Sequence, residues 1–286
     1  MYQAKKSEQD NVYFYSSELT EKTIKRWSTE NNLRESLENN DFILLYQPKV
    51  CSQTQVIVGV EALIRWPREN KVPIYPSEFI PIAEDTGLIV PLGKWVIEQA
   101  IEQLNLWKNT ACDHLSISVN VSSRQLYNEG FTEFVIGALK NSNIPAFKLE
   151  LEITEEHLAP TNQEAKIKET LKNLTDIGIK ISIDDFGTGY SSLSQLKILP
   201  ISILKIDKSF VDNIPGNSKN VAIIKSIISL AKNLNLKVVA EGVETIEQLI
   251  CLREYNCEMI QGYYFSKPIT HLEIEQLVLK KSWSVA

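Results

Sequence analysis

The sequence predicts an α/β fold and, within that class, a (β/α)8 barrel. Three observations carry this expectation. From Asp41 onward, eight short apolar runs alternate with stretches of helical period. The runs are nearly continuous in Val, Ile and Leu, as parallel strands covered on both faces are. Most of them end on a carboxylate, an amide or a lysine, and a barrel gathers its strand ends at one mouth. An open doubly wound sheet fits eight such runs less well. No GxGxxG or GxxxxGK[ST] follows any run, so dinucleotide-cofactor and P-loop readings lose their support.

The elements follow in order. Residues 1–10 are polar and 11–15 (NVYFY) are strand-like. Residues 20–40 read as a helix, with Ile24, Trp27, Leu33 and Leu37 among Glu and Lys. Asn39-Asn40 marks its end. This opening segment is a cap or linker without a core of its own. The predicted strands are 42–50, 56–66, 115–122, 148–154, 179–185, 201–207, 236–243 and 259–265. Helical stretches between them include 93–107, 164–174, 221–233 and 245–255.

Composition narrows the function. The net charge is −6, with acidic and basic residues interspersed, which argues against a surface for a DNA or RNA polymer. Four cysteines lack CxxC spacing and three histidines form no HExxH, so zinc sites and a disulfide framework are not indicated. No signal peptide opens the chain and no apolar run approaches the roughly 20 residues of a membrane span. The expectation is a cytoplasmic chain with no membrane segment.

The strand ends hold the chemistry. They are Glu61, Asn120, Glu152, the pair Asp184-Asp185, Lys205, Glu241 and Gln261. Five carboxylates at one rim repel each other unless a cation joins them. An all-oxygen set suits Mg²⁺ or Mn²⁺ and not zinc. Asp184-Asp185 would let one carboxylate bridge two ions, the arrangement that promotes in-line phosphoryl displacement. Lys205 would then orient a water or, with a lowered pKa, accept its proton. Against this stands the plainer reading of any one strand-end carboxylate as a helix cap or ion-pair partner, and Asp184-Asp185 alone would serve as well to cap a turn. Seven polar strand ends acting together as caps is the weaker account. The segment 185–196 (DFGTGYSSLSQL) adds a turn-rich loop, in which Gly187, Thr188 and Gly189 suit a gate over the mouth.

Taken together, these motifs resemble the EAL domain family. Tyr46-Gln47-Pro48, Glu61-Ala62-Leu63 with Arg65-Trp66, and Phe79 to Glu84 look like its opening. Ser118 to Ser122, Glu152-Ile153-Thr154-Glu155 and Asp184 to Tyr190 continue the match. Lys205-Ile206-Asp207, Ala240 to Glu244 and Gln261 to Tyr264 complete it over about residues 41–275.

The resemblance implies a barrel whose first strand runs antiparallel and which hydrolyses c-di-GMP to linear pGpG with two ions. It assigns Glu61, Asn120, Glu152 and Asp184 to one metal, and Asp184, Asp185 and Glu241 to the second. Lys205 and Gln261 would orient the water, so that Lys205, Gln261, Glu61 and Glu241 form the catalytic set. Gln47, Arg65 and Asp207 lie on the substrate side. Glu155 anchors the gating loop, with Glu244 in support. None of these positions is substituted, which ranks hydrolysis above the alternative of a c-di-GMP receptor without turnover.

The opening MYQAKK and NVYFYSSEL resemble the end of a GGDEF domain. That similarity implies residues 1–19 as a remnant of an upstream GGDEF-like domain, 20–40 as a linker helix and 41–286 as the EAL barrel. A sensor domain further upstream and a homodimer formed through the barrel are also expected from the resemblance.

Overall fold

Eight strands close into a barrel in simple chain order in the computed structural model, which describes residues 17–68, 72–155, 164–189, 196 and 198–280. They are β1 (Ile43–Cys51), β2 (Ile57–Arg65), β3 (Ser116–Asn120), β4 (Leu149–Thr154), β5 (Lys180–Phe186), β6 (Ile203–Ile206), β7 (Lys237–Ala240) and β8 (Met259–Ile260). From β2 to β8 every pairing is parallel. β1 is antiparallel to both its neighbours, with Gln47 opposite Glu61 and Val50 opposite Ile260. The short link between β1 and β2 accounts for this. It is long enough for a hairpin and far too short for the crossover that a parallel pair needs.

The strands are buried on both faces, as expected, but they are not apolar on both. On β4, Leu149, Leu151 and Ile153 join the apolar layer beneath the helices, while Glu150 and Glu152 alternate with them. On β5, Ile181 and Ile183 alternate with Ser182 and Asp184. Alternation usually marks a strand with one wet face. Here both faces are covered, since Ser182 is 0% and Glu152 1% exposed, and the barrel interior is itself polar. Barrels of this type normally fill the interior with bulky aliphatics. In this one Lys49, Ser118, Glu150, Glu152, Ser182 and Lys205 take that place.

The helices supply the outer cover. They are α1 (Ser17–Asn39), α2 (Pro76–Thr86), α3 (Ile89–Trp107), α4 (Ser123–Tyr127), α5 (Phe131–Ser142), α6 (Glu164–Asp176), α7 (Lys208–Val211), α8 (Ser218–Asn233), α9 (Ile246–Glu254) and α10 (His271–Lys280). α3 starts four residues before the predicted 93, because Gly93 lies inside the helix as a contact point and not at its start. A Cβ there would sit 1.9 Å from the Gln125 side chain, so only glycine admits the approach. Thr245 and Gln248 form a capping box that sets the start of α9.

α1 ends where Asn40 takes a left-handed conformation (φ 57°). Its Leu33 is fully buried in a second core with Phe42, Trp66, Phe79 and Leu92, and Trp66 Nε1 donates to Ser36 Oγ at 3.0 Å. At the surface Lys25 pairs with Glu78, and Arg26 with Asp85 on α2. The strand-like segment 11–15 and loop residues 190–195, including Ser191 and Ser192, lie outside the described residues. Among the described residues no helix is long and apolar enough to cross a membrane. All four cysteines are free thiols.

Candidate metal centre

Lys205 stands at the centre of the mouth, fully buried. Its Nζ lies 2.7 Å from Glu241 Oε1, 3.1 Å from Asp184 Oδ1 and 3.6 Å from Glu61 Oε2, and it pairs most closely with Glu152 Oε2. Burial alone would lower the pKa of this ammonium. The charges of Glu152, Glu241, Glu61 and Asp184 override burial and raise it well above the ordinary lysine value. Without an ion, Lys205 is thus held as an ammonium by the same carboxylates that would serve a metal.

One ammonium does not balance the carboxylates around it. Burial, followed by the charge of Glu152, raises Glu61; burial also raises Asp184 and, most strongly, Glu241. Glu152 is the exception: burial opposes its ionisation, but Lys205 and Lys49 together hold its carboxyl down to about 2. The mouth thus carries more acid than its own cations can keep ionised.

Two triads of carboxylates emerge from this crowd. Glu61, Glu152 and Asp184 each bring one oxygen within 4.8 Å of the others, and so do Asp184, Asp185 and Glu241. Asp184 belongs to both. Neighbouring residues of a regular strand point to opposite faces, so an adjacent pair should not share a site. The strand is broken here: the β5–β6 register shifts between Ile183 and Phe186, and Asp185 has φ 54°. That bulge turns both side chains toward the mouth. The Asp185 amide donates to Asp184 Oδ1 at 3.0 Å, which fixes the first carboxylate for the second.

The remaining donors fit a hard divalent cation. Asn120 gives its Nδ2 to Glu61 Oε1 at 2.8 Å, so its carbonyl oxygen is left for the mouth. Gln261 donates Nε2 to Glu61 Oε2 at 2.6 Å and to Gln47 Oε1 at 3.0 Å. Among the described residues its Oε1 is buried with no partner, an acceptor that a cation or water would satisfy. Excess negative charge, oxygen donors only and an orphaned buried acceptor all point the same way.

Two cavities flank the triads. One of about 380 Å³ is lined by Leu63, Arg65, Asn120 and Glu152, with an apolar back of Ile80, Ile89 and Val96. The other, about 260 Å³, is lined by Gln47, Glu61, Asp184, Glu241, Gln261 and Tyr263. Arg65 is half-buried, and its Nη1 donates to Ile64 O at 2.9 Å. Asp207 caps α7 through the Ser209 amide at 3.0 Å and faces Asp185, whose pKa burial and the Asp207 charge together raise. Glu244 pairs with Lys208 at 2.6 Å, and the Lys208 stem lies over Gly242.

The glycine loop is tied to β4. Glu155 Oε2 accepts from the Gly187 amide at 2.7 Å and the Gly189 amide at 3.3 Å. Thr188 Oγ1 donates back to Asp185 O at 2.8 Å. A Cβ at Gly187 (φ 98°) would meet the Phe210 ring at 2.9 Å, so this turn needs glycine for both its conformation and its space. Sequence reasoning missed Lys49, Lys208 and Tyr263. A lysine inside the apolar run 42–50 was the one available signal for the first.

These residues have relatives. Residues 30–268 match the EAL domain family. The chain belongs to that family. The chain is 40% identical over 281 residues to the signaling protein YkoW of Bacillus subtilis, covering 98% of this chain and 35% of YkoW. It is 39% identical over 269 residues to the bifunctional diguanylate cyclase/cyclic di-GMP phosphodiesterase MucR of Pseudomonas aeruginosa, covering 94% of this chain and 39% of MucR. The chain thus spans little more than a third of the length of these relatives. Among solved structures, the PaMucR phosphodiesterase in complex with c-di-GMP superposes with a TM-score of 0.81 at 40% identity. That match covers 86% of this chain and 99% of the other.

Proposed function

We propose that this EAL domain is a phosphodiesterase that hydrolyses c-di-GMP to linear pGpG. The observation that carries the reading is Asp184: one carboxylate shared by two oxygen triads, at the mouth of a barrel 40% identical to the PaMucR phosphodiesterase. Glu61, Asn120, Glu152 and Asp184 would hold one ion, and Asp184, Asp185 and Glu241 a second, with Mg²⁺ or Mn²⁺ as the ions. When bound, they supply a nucleophile derived from water and neutralise charge developing on the phosphate.

The chain's own groups do the positioning. Lys205, ringed by Glu61, Glu152, Asp184 and Glu241, would orient the attacking water through its Nζ. Gln261, aligned by Gln47 and Glu61, offers that water its free acceptor. Arg65 meets a phosphate oxygen as a planar donor. The two cavities on either side of the triads suit the two purines of a cyclic dinucleotide, with Gln47 and Asp207 on the substrate side. Glu155 holds the Gly187–Gly189 turn beside Asp185, where the loop would exclude water on closing. Glu244 supports this face through Lys208.

The diguanylate cyclase activity named for MucR supports reading residues 1–19 as the end of a GGDEF-like domain and 20–40 as its linker helix. A longer protein with that domain and a sensor upstream, and a dimer through the barrel, complete the proposal. The test is incubation with c-di-GMP and Mg²⁺ or Mn²⁺, with and without chelator, and with residues 1–19 present or removed. Metal-dependent pGpG from both chains is expected. Ligand binding without product would replace the enzyme by a receptor, and loss of folding on truncation would sink the domain assignment.

A further inference from the structure

Glu152 is gripped at both oxygens. Its Oε2 pairs with Lys205, and its Oε1 lies 3.4 Å from Lys49 Nζ. Lys49 reaches it from β1, two residues beyond Gln47 and nearer the barrel floor. It crosses the interior beside Gly59, where a Cβ would already lie 2.7 Å from Ser116 Oγ and 3.7 Å from Lys49 Cε. Glu150 Oε1 holds the same ammonium from below at 3.0 Å. The Lys49, Glu150 and Glu152 side chains are 3%, 3% and 0% exposed.

Lys49 belongs to neither triad and lies below both. Its effect is on which oxygens the triad can use. With Oε1 turned to the floor, Glu152 offers the mouth a single oxygen. Mg²⁺ is served by single carboxylate oxygens in a tight octahedron, whereas Ca²⁺ takes six to eight oxygens and commonly binds a carboxylate through both. We propose that Lys49 is a positioning residue that withholds one oxygen of Glu152 and thereby biases the centre against calcium. This rests on the metal reading given above.

The test measures binding without turnover. Free Mn²⁺ is followed by electron paramagnetic resonance while Ca²⁺ is titrated as a competitor against the whole chain. The Lys49→Met/Glu150→Gln variant removes the floor pair without stranding a buried charge, which is the costly outcome. Its Ca²⁺ affinity relative to Mn²⁺ should rise about tenfold, the scale on which groups behind a ligand act. Loss of local positive charge strengthens both cations, so the ratio is the readout. Glu150→Gln alone frees Lys49 to hold Glu152 undivided, and its ratio should stay at or below that of the unaltered chain. A purely structural pair would move both variants alike. An unchanged ratio in the double variant, or a raised one in Glu150→Gln, overturns the proposal and leaves the metal reading standing. If the unaltered chain binds no Mn²⁺, both fall together.

Discussion

At the middle of β3, β4, β5 and β6 the two strand faces are equally dry and chemically opposite. Outward, Ile117, Leu151, Ile183 and Leu204 are 0% exposed among aliphatic neighbours. Inward, Glu152, Ser182 and Lys205 are 0–1% exposed among charges and hydroxyls. The outer face gains stability from area removed from water, without direction. The inner face must satisfy every polar atom, so its geometry is specified and its stability margin is small. Folding and chemistry are thereby assigned to alternate residues of the same strands.

This contrast can be broken from either side. Asp184→Asn removes the carboxylate common to both triads. It should lower turnover by more than the roughly 100-fold that a residue behind a ligand can cost, with an unfolding midpoint close to that of the parent. Steady-state hydrolysis and urea denaturation measure the two halves. Retained turnover would remove Asp184 from the centre. Leu151→Ala, its outward counterpart on β4, should cost about 3 kcal/mol of stability through a core cavity. The folded fraction should turn over within about twofold of the parent rate. A larger catalytic loss would mean that the faces are mechanically coupled.

The smallest effect is a pH dependence. Glu61, Asp184 and Glu241 have folded-state pKa values raised above their ordinary 4.5, 3.8 and 4.5. The folded chain then binds more protons than the unfolded one, so metal-free stability falls as pH rises above those ordinary values. Glu152 is shifted the other way; its contribution is complete above 4.5 and adds no slope in that window. A bound cation reverses the cost, so the rise in melting temperature with Mn²⁺ should be a few degrees larger near pH 8 than near pH 5.5. An increment independent of pH would show that the cation binds away from these carboxylates.

Much of the site was legible because a barrel makes strand ends converge. Once the runs ending at Glu61, Asn120, Glu152, Asp184, Lys205, Glu241 and Gln261 are assigned to such a barrel, their meeting follows from topology. Reversal of β1 was not legible from pattern, since a buried antiparallel strand has the same composition as a parallel one. Asp185 was named beside Asp184, yet nothing in the letters shows the bulge that lets both face one way. The polar interior was hidden because LELEIT and ISID were read as apolar runs with a polar end, although Glu150 and Ser182 carry the alternation. Lys49 was overlooked because a single lysine in FILLYQPKV gives no sign of whether its ammonium ends in water or in a barrel.

The reversed β1 also decides where the chain enters. In an all-parallel barrel the first strand starts at the floor, on the far side from the chemistry. Here β1 starts beside Arg65, at the catalytic rim, and α1 arrives there already packed against α2 and Trp66. The last turns of α1, through Leu33 and Ser36, rest on Trp66 at the end of β2, so a displacement of that end of the helix would bear on β1, which it leads into, and on β2, the strand that carries Glu61.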